Sequence, residues 1–210
     1  MTHAHLAPKL RAWNTFGLLV VLICFAASSL SADEQDCESR QRPAPAALQS
    51  QFESKLQPLK QCVRTIDDVA ACNRFVGRAL EVLFGNSDFK NGDQYFLAND
   101  IANGIATPGN IPGWSRIGEA TDQAVLDRAQ ALANTGAQVV ALKTAQGAGH
   151  VVVILPGQTE KYPRAGFSWG DLKAPNSASF FLNHPERVFV GCPLSITWKA
   201  PASVAIYAKQ

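Results

Sequence analysis

The chain has 210 residues, 47% hydrophobic and 17% charged, with 15 Gly and 12 Pro. These proportions fit one globular domain with an ordinary core and exclude a mainly disordered or collagen-like chain. The formal net charge is only +2, and without a clustered Lys/Arg face neither nucleic acid nor anionic lipid is an expected partner.

Residues 1–32 contain no acid, carry Lys9 and Arg11, and include the apolar run Phe16 to Ala27. That run has the length of a secretory h-region and is too short to span a bilayer as a helix. A signal peptide over residues 1–32 is expected, cut between Ala27 and Asp33, so that the mature chain is periplasmic or secreted and leaves the membrane. Bulky Ile23 before Cys24 argues against lipid attachment. Losing Lys9 and Arg11, two bases and no acid, takes the formal charge from +2 to zero.

Polar residues 33–44 read as a flexible lead-in, and residues 45–210 as a single domain. Leu48, Phe52, Leu56, Leu59 and Val63 recur at helical spacing, with a disturbance expected at Pro58. A second stripe runs through Cys72, Val76, Ala79 and Leu83, flanked by Phe75 and Val82, and Gly85 is placed to end it. Between Asn86 and Gly118 a short helical piece, YFLANDIANGI, precedes a surface-directed loop, PGNIPGW. Trp114 in that loop either lines a groove or packs beneath it. Thr121 is an expected N-cap for the helix DQAVLDRAQALAN.

The period then changes. QVVAL (138–142), HVVVIL (150–155), a segment near Arg164 to Trp169, RVFV (187–190), SITW (195–198) and SVAIY (203–207) read as strands between Gly, Pro and Asn punctuation. Helices followed by strands predict an α+β domain whose N-terminal helices pack on one face of an antiparallel sheet.

The mature chain carries two histidines, His150 and His184, and four cysteines, Cys37, Cys62, Cys72 and Cys192. Neither CxxC nor HxxxH occurs, so no structural zinc site is expected. No P-loop occurs, and GxGxxG has no match after a strand, so no cofactor is expected either. Cys72 falls near a helix start, where unpaired N–H groups and the helix dipole favour a thiolate. His150 opens a strand after Gln146-Gly147-Ala148-Gly149, at a sheet rim from which its side chain can reach a helix terminus. A thiolate facing an imidazole is the pair that attacks a carbonyl and protonates the leaving amine.

AACNRFVGRAL resembles the nucleophile helix of NlpC-type cell-wall cysteine peptidases, and GHVVVILPG their histidine strand. ALANTGAQVVALKTAQGAGH resembles the helix, glycine and strand that precede that histidine in exported and toxin-associated members. The resemblance spans about residues 60–160, with an echo in GCPLSITWK. It implies a papain-like fold, no cofactor, and hydrolysis of an amide in peptidoglycan stem peptides, between D-glutamate and diaminopimelate or at a neighbouring bond. An inhibitor or immunity protein is a candidate partner. The sequence departs from the commoner Asp-Cys-Ser-Gly run, reading Ala71-Cys72-Asn73-Arg74, and leaves oligomeric state open.

A third residue should orient the imidazole from the next strand. A tight hairpin centred on residue 159 would bring Ser168 opposite His150; a slightly longer loop would bring Asp171, and Asn183 is a third candidate. The backbone N–H of Cys72 is the expected oxyanion donor. If Cys72 stays free, Cys37 and Cys62, which flank the first helix, are the expected bridge. The competing reading is an inactive exported binding module on the same scaffold, with Cys72 locked in a disulfide. His184 is expected in a surface loop, Trp169 and Trp198 in the sheet core, and Asp67 and Asp68 against the helix dipole.

Overall fold

The structure is a computed structural model that describes Cys37 and residues 46–60, 74–107, 110–146, 149–181 and 184–209, leaving aside the side chains of 184–187. The first stripe forms helix α1 (Ala47–Leu56), which tightens into a 3-10 turn over Gln57–Lys60 that contains Pro58. Proline cannot donate to the helical ladder, which accounts for the change of pitch there. Helix α2 (Phe75–Phe84) buries Phe75, Val76, Ala79, Leu80 and Leu83 and leaves Val82 exposed. Gly85 terminates it at φ 66°, a left-handed conformation that a residue without Cβ adopts at little cost.

A two-stranded ribbon, β1 (Lys90–Asn91) and β2 (Gln94–Tyr95), leads into helix α3 (Ala98–Ala106). Strand β3 (Trp114–Glu119) follows, where the sequence suggested only a loop. Helix α4 (Gln123–Asn134) is capped by Asp122, one residue after the expected Thr121; the Asp122 side chain accepts from the Ala124 N–H. A carboxylate there satisfies an orphan donor and meets the positive end of the dipole.

The remaining strands are β4 (Gln138–Lys143), β5 (His150–Ile154), β6 (Asn176–Phe181), β7 (His184–Pro193) and β8 (Ala205–Lys209). They join β3 in a six-stranded sheet of order β3-β8-β4-β5-β6-β7, with each neighbouring pair antiparallel. The expected α+β class with a mainly antiparallel sheet is thus present. Three local expectations are corrected. Arg164–Trp169 is not a strand, SITW begins in a 3-10 turn (Leu194–Ile196), and His184 starts β7, paired with Phe181, instead of occupying a loop.

Both faces of the sheet are covered. Val140, Leu142, Val151, Val153, Ala178, Phe180 and Tyr207 pack under α1, α2 and α3. Alternate residues of the same strands, Val139, Ala141, Val152, Ile154, Ile206 and Ala208, pack under α4 together with Trp169 and Leu194. Helices therefore lie on both faces, not one, because β4 and β5 read as continuous apolar runs whose alternate side chains both need cover.

Candidate functional site

His150 is the first residue of β5, held there by the preceding glycine. A Cβ on Gly149 would lie 2.1 Å from Asn99 Oδ1 of α3 and 3.1 Å from the Lys143 carbonyl oxygen. The approach to His150 is therefore open only to glycine without local movement, and the Asn99 amide also donates to the Ala145 carbonyl.

The ring of His150 is half-buried, and its contacts lie on the sheet face it shares with Val152 and Ile154. Phe181 stacks on it at 4.5 Å between centroids and 15° between planes, and Trp198 meets it edge-on at 5.6 Å and 82°. Its Nε2 is 2.7 Å from Ser179 Oγ, and Ser179 is fully buried. The pairs Val153↔Ala178 and Ile154↔Ser177 set the register. Extended along the strands, that register places Phe181 opposite His150 and Ser179 diagonally behind it, within reach of a long side chain.

Ser168 and Asp171 do not lie on β6, the strand paired with β5 on the side away from β4. Between β5 and β6 the chain makes a long excursion over Leu155–Pro175, closed partway by the Glu160↔Ala174 bridge, so the tight hairpin expected near residue 159 is absent. Ser168 is tied to Lys199, its N–H donating to that carbonyl at 2.7 Å. Asp171 projects into solvent and pairs with Lys161, which holds its carboxyl below the ordinary range. Ser179 was missed because SASFF lacks the alternation that marks a half-exposed strand; the polar residue two places before the register partner was the available signal.

Cys72, Cys62 and Asn183 lie outside the described residues, as do Asp67 and Asp68. What is described is the start of α2, three residues after Cys72: Phe75 stacks on Phe180 of β6, centroids 3.6 Å apart. That contact brings the N-terminal end of α2 to the rim where β5 begins. The helix itself packs on the Val151–Val153 face, opposite to the face on which the His150 ring stands.

Cys37 and Cys192 form a disulfide, correcting the expected Cys37–Cys62 bridge. Flanking the same helix does not make two cysteines neighbours. The β6–β7 register carries Cys192 opposite Ser177, where Cys37 is buried with Tyr162, Phe189 and Ile196. Trp114 takes the packing alternative, stacked on Phe89 with its indole N–H donating to Asp88 at 2.8 Å. Trp169 is core, as expected, and donates to the Trp198 carbonyl.

Among the described residues no group of three or more His, Cys, Asp or Glu could hold a metal ion, and no helix is long and apolar enough to cross a membrane. Comparison with protein-family models, with curated proteins and with solved structures finds no match.

Proposed function

We propose that the chain is an exported cysteine hydrolase of papain-like, NlpC-type fold that cleaves an amide bond in peptidoglycan stem peptides, with Cys72 as nucleophile and His150 as general acid and base. The observation that carries the reading is the His150 ring, fixed by Ser179 and Phe181 at the sheet rim to which Phe75 anchors the start of α2. The Cys37–Cys192 bond suits an oxidising compartment outside the cytoplasm.

In this mechanism the Cys72 thiol passes its proton to the imidazole and the thiolate attacks the amide carbonyl carbon. The C–S bond forms as the carbonyl π pair moves to oxygen, and the Cys72 backbone N–H receives that oxyanion. Collapse breaks the C–N bond, and the imidazole proton leaves with the amine. Water, deprotonated by the same imidazole, then cleaves the thioester, and the proton returns to sulfur. The mechanism requires the Cys72 sulfur within reach of the His150 ring.

A second reading is favoured by one observation. The Cys37–Cys192 bond takes two of the four cysteines of the mature chain, leaving Cys62 and Cys72 to each other. A Cys62–Cys72 bridge would make the chain a catalytically silent binding module. Incubating the oxidised mature protein with muropeptides separates the two: the hydrolase reading expects release of a new amine that Cys72→Ala abolishes, and the same product from Cys72→Ala would overturn it.

A further inference from the structure

We infer that Ser179 is the positioning residue of His150, fixing its tautomer and ring plane; the inference rests on the hydrolase reading. Three observations converge on it. Ser179 Oγ lies 2.7 Å from Nε2, Ser179 has no exposed surface, and the ring that it contacts is stacked on Phe181 and met edge-on by Trp198. A buried hydroxyl must satisfy its hydrogen bonding inside the protein, and the imidazole nitrogen is where this one does so.

The chemistry follows from the two ring nitrogens. A hydroxyl can accept from Nε2–H while the ring is neutral and continue to accept when it is cationic. With Nε2–H held by Ser179, one tautomer of the neutral ring is favoured, and the Ser179 bond need not break when the ring takes up or gives back a proton. Phe181 limits rotation of the ring out of that plane. Trp198 brings the segment after β7 into the same arrangement, so a residue remote in sequence also bears on the imidazole.

Ser179→Ala removes one buried oxygen and leaves the packing volume nearly unchanged. The test is long-range 15N correlation of the His150 ring in the mature oxidised protein near neutral pH, beside turnover of muropeptides. The wild-type ring is expected as the Nε2–H tautomer, and in Ser179→Ala as a mixture of tautomers. kcat is expected to fall by about 10- to 100-fold with KM within about twofold, part of the contribution that a well-placed general base makes. Ser179→Thr, which keeps the hydroxyl, should restore the tautomer and most of kcat. Unchanged ring signals in Ser179→Ala would overturn the assignment, whether or not kcat falls. The ring signals need no turnover. A changed tautomer in a protein whose wild type cleaves no muropeptide would sink the hydrolase reading and leave the role of Ser179 standing.

Discussion

The two faces of the six-stranded sheet solve different problems. Under α1, α2 and α3 the strands present an apolar layer in which Phe180, Val151, Val153 and Leu142 meet Leu56, Leu80 and Ile101. The opposite face is divided. Beneath α4 it is equally apolar, with Val139, Ile154 and Ile206 against Leu126 and Ala129. Toward the β5–β6–β7 end it carries His150, Ser179, the aromatic rings and the Cys37–Cys192 bond. One face provides stability through packing, and one corner of the other confines an imidazole between a buried serine and two partly buried aromatic rings. If the proposed hydrolase reading holds, mutations should therefore separate into those that unfold the chain and those that stop turnover.

The largest expected effect lies in the polar corner. His150→Ala should lower muropeptide turnover by at least 100-fold while thermal unfolding shifts by no more than a few degrees, read by amine release and circular dichroism. On the apolar face the pattern should invert. Leu80→Ala, at a site 1% exposed, should cost about 2–5 kcal/mol in urea unfolding through lost burial and a residual cavity, with kcat of the surviving folded fraction unchanged. If His150→Ala unfolds the chain, or Leu80→Ala stops chemistry without loss of stability, the division between the faces is wrong.

Cys192→Ser sharpens the comparison, because its bond closes a loop with a sequence separation of 155. Removing it should cost about 2–5 kcal/mol, chiefly by freeing the unfolded chain. The loss should disappear when both proteins are compared under reducing conditions. Gly149→Ala joins the two regions, since the new Cβ would strike Asn99 Oδ1 of α3 and displace the start of β5. A cost of about 1–3 kcal/mol is expected, together with a fall in kcat that Asn99→Ala partly relieves.

The smallest effect concerns acid stability on the apolar side. Burial raises the Asp88 carboxyl, but hydrogen bonds from Lys209, Trp114 and Asn86 outweigh it and hold Asp88 below its ordinary value. A depressed folded-state value stabilises fully above the unfolded value of about 4 and is lost as pH falls through the folded one. The difference in urea midpoint between wild type and Asp88→Asn should thus be largest above about pH 5 and narrow in acid. A constant difference from pH 7 to pH 3 would contradict this.

Much of the apolar architecture was legible because periodicity reports burial directly. The stripes of α1 and α2, the stop at Gly85, the helix after Asp122 and the runs of β4 and β5 all follow from it. Strand β6 escaped because Asn176, Ser177 and Ser179 are polar yet buried, each satisfied by a particular partner: Asn176 by the Pro156 carbonyl, Ser177 by that of Cys192, Ser179 by His150. Partners so distant in sequence leave no local pattern. The position of His150 at a strand start was readable from the glycines before it. Its neighbour was not, because the register of β6 depends on the length of the Leu155–Pro175 excursion, which has no periodicity to count. The Cys37–Cys192 pairing was hidden for the same reason, being fixed by where β7 passes under Cys37.

The most direct test is alkylation of the oxidised mature protein with iodoacetamide near neutral pH, followed by peptide mass mapping without reduction. The account predicts that Cys72 is labelled rapidly and that His150→Ala slows the labelling at least tenfold, as expected of a thiolate sustained by a neighbouring imidazole. Recovery of Cys72 in a peptide disulfide-linked to Cys62, or labelling indifferent to His150, would contradict it.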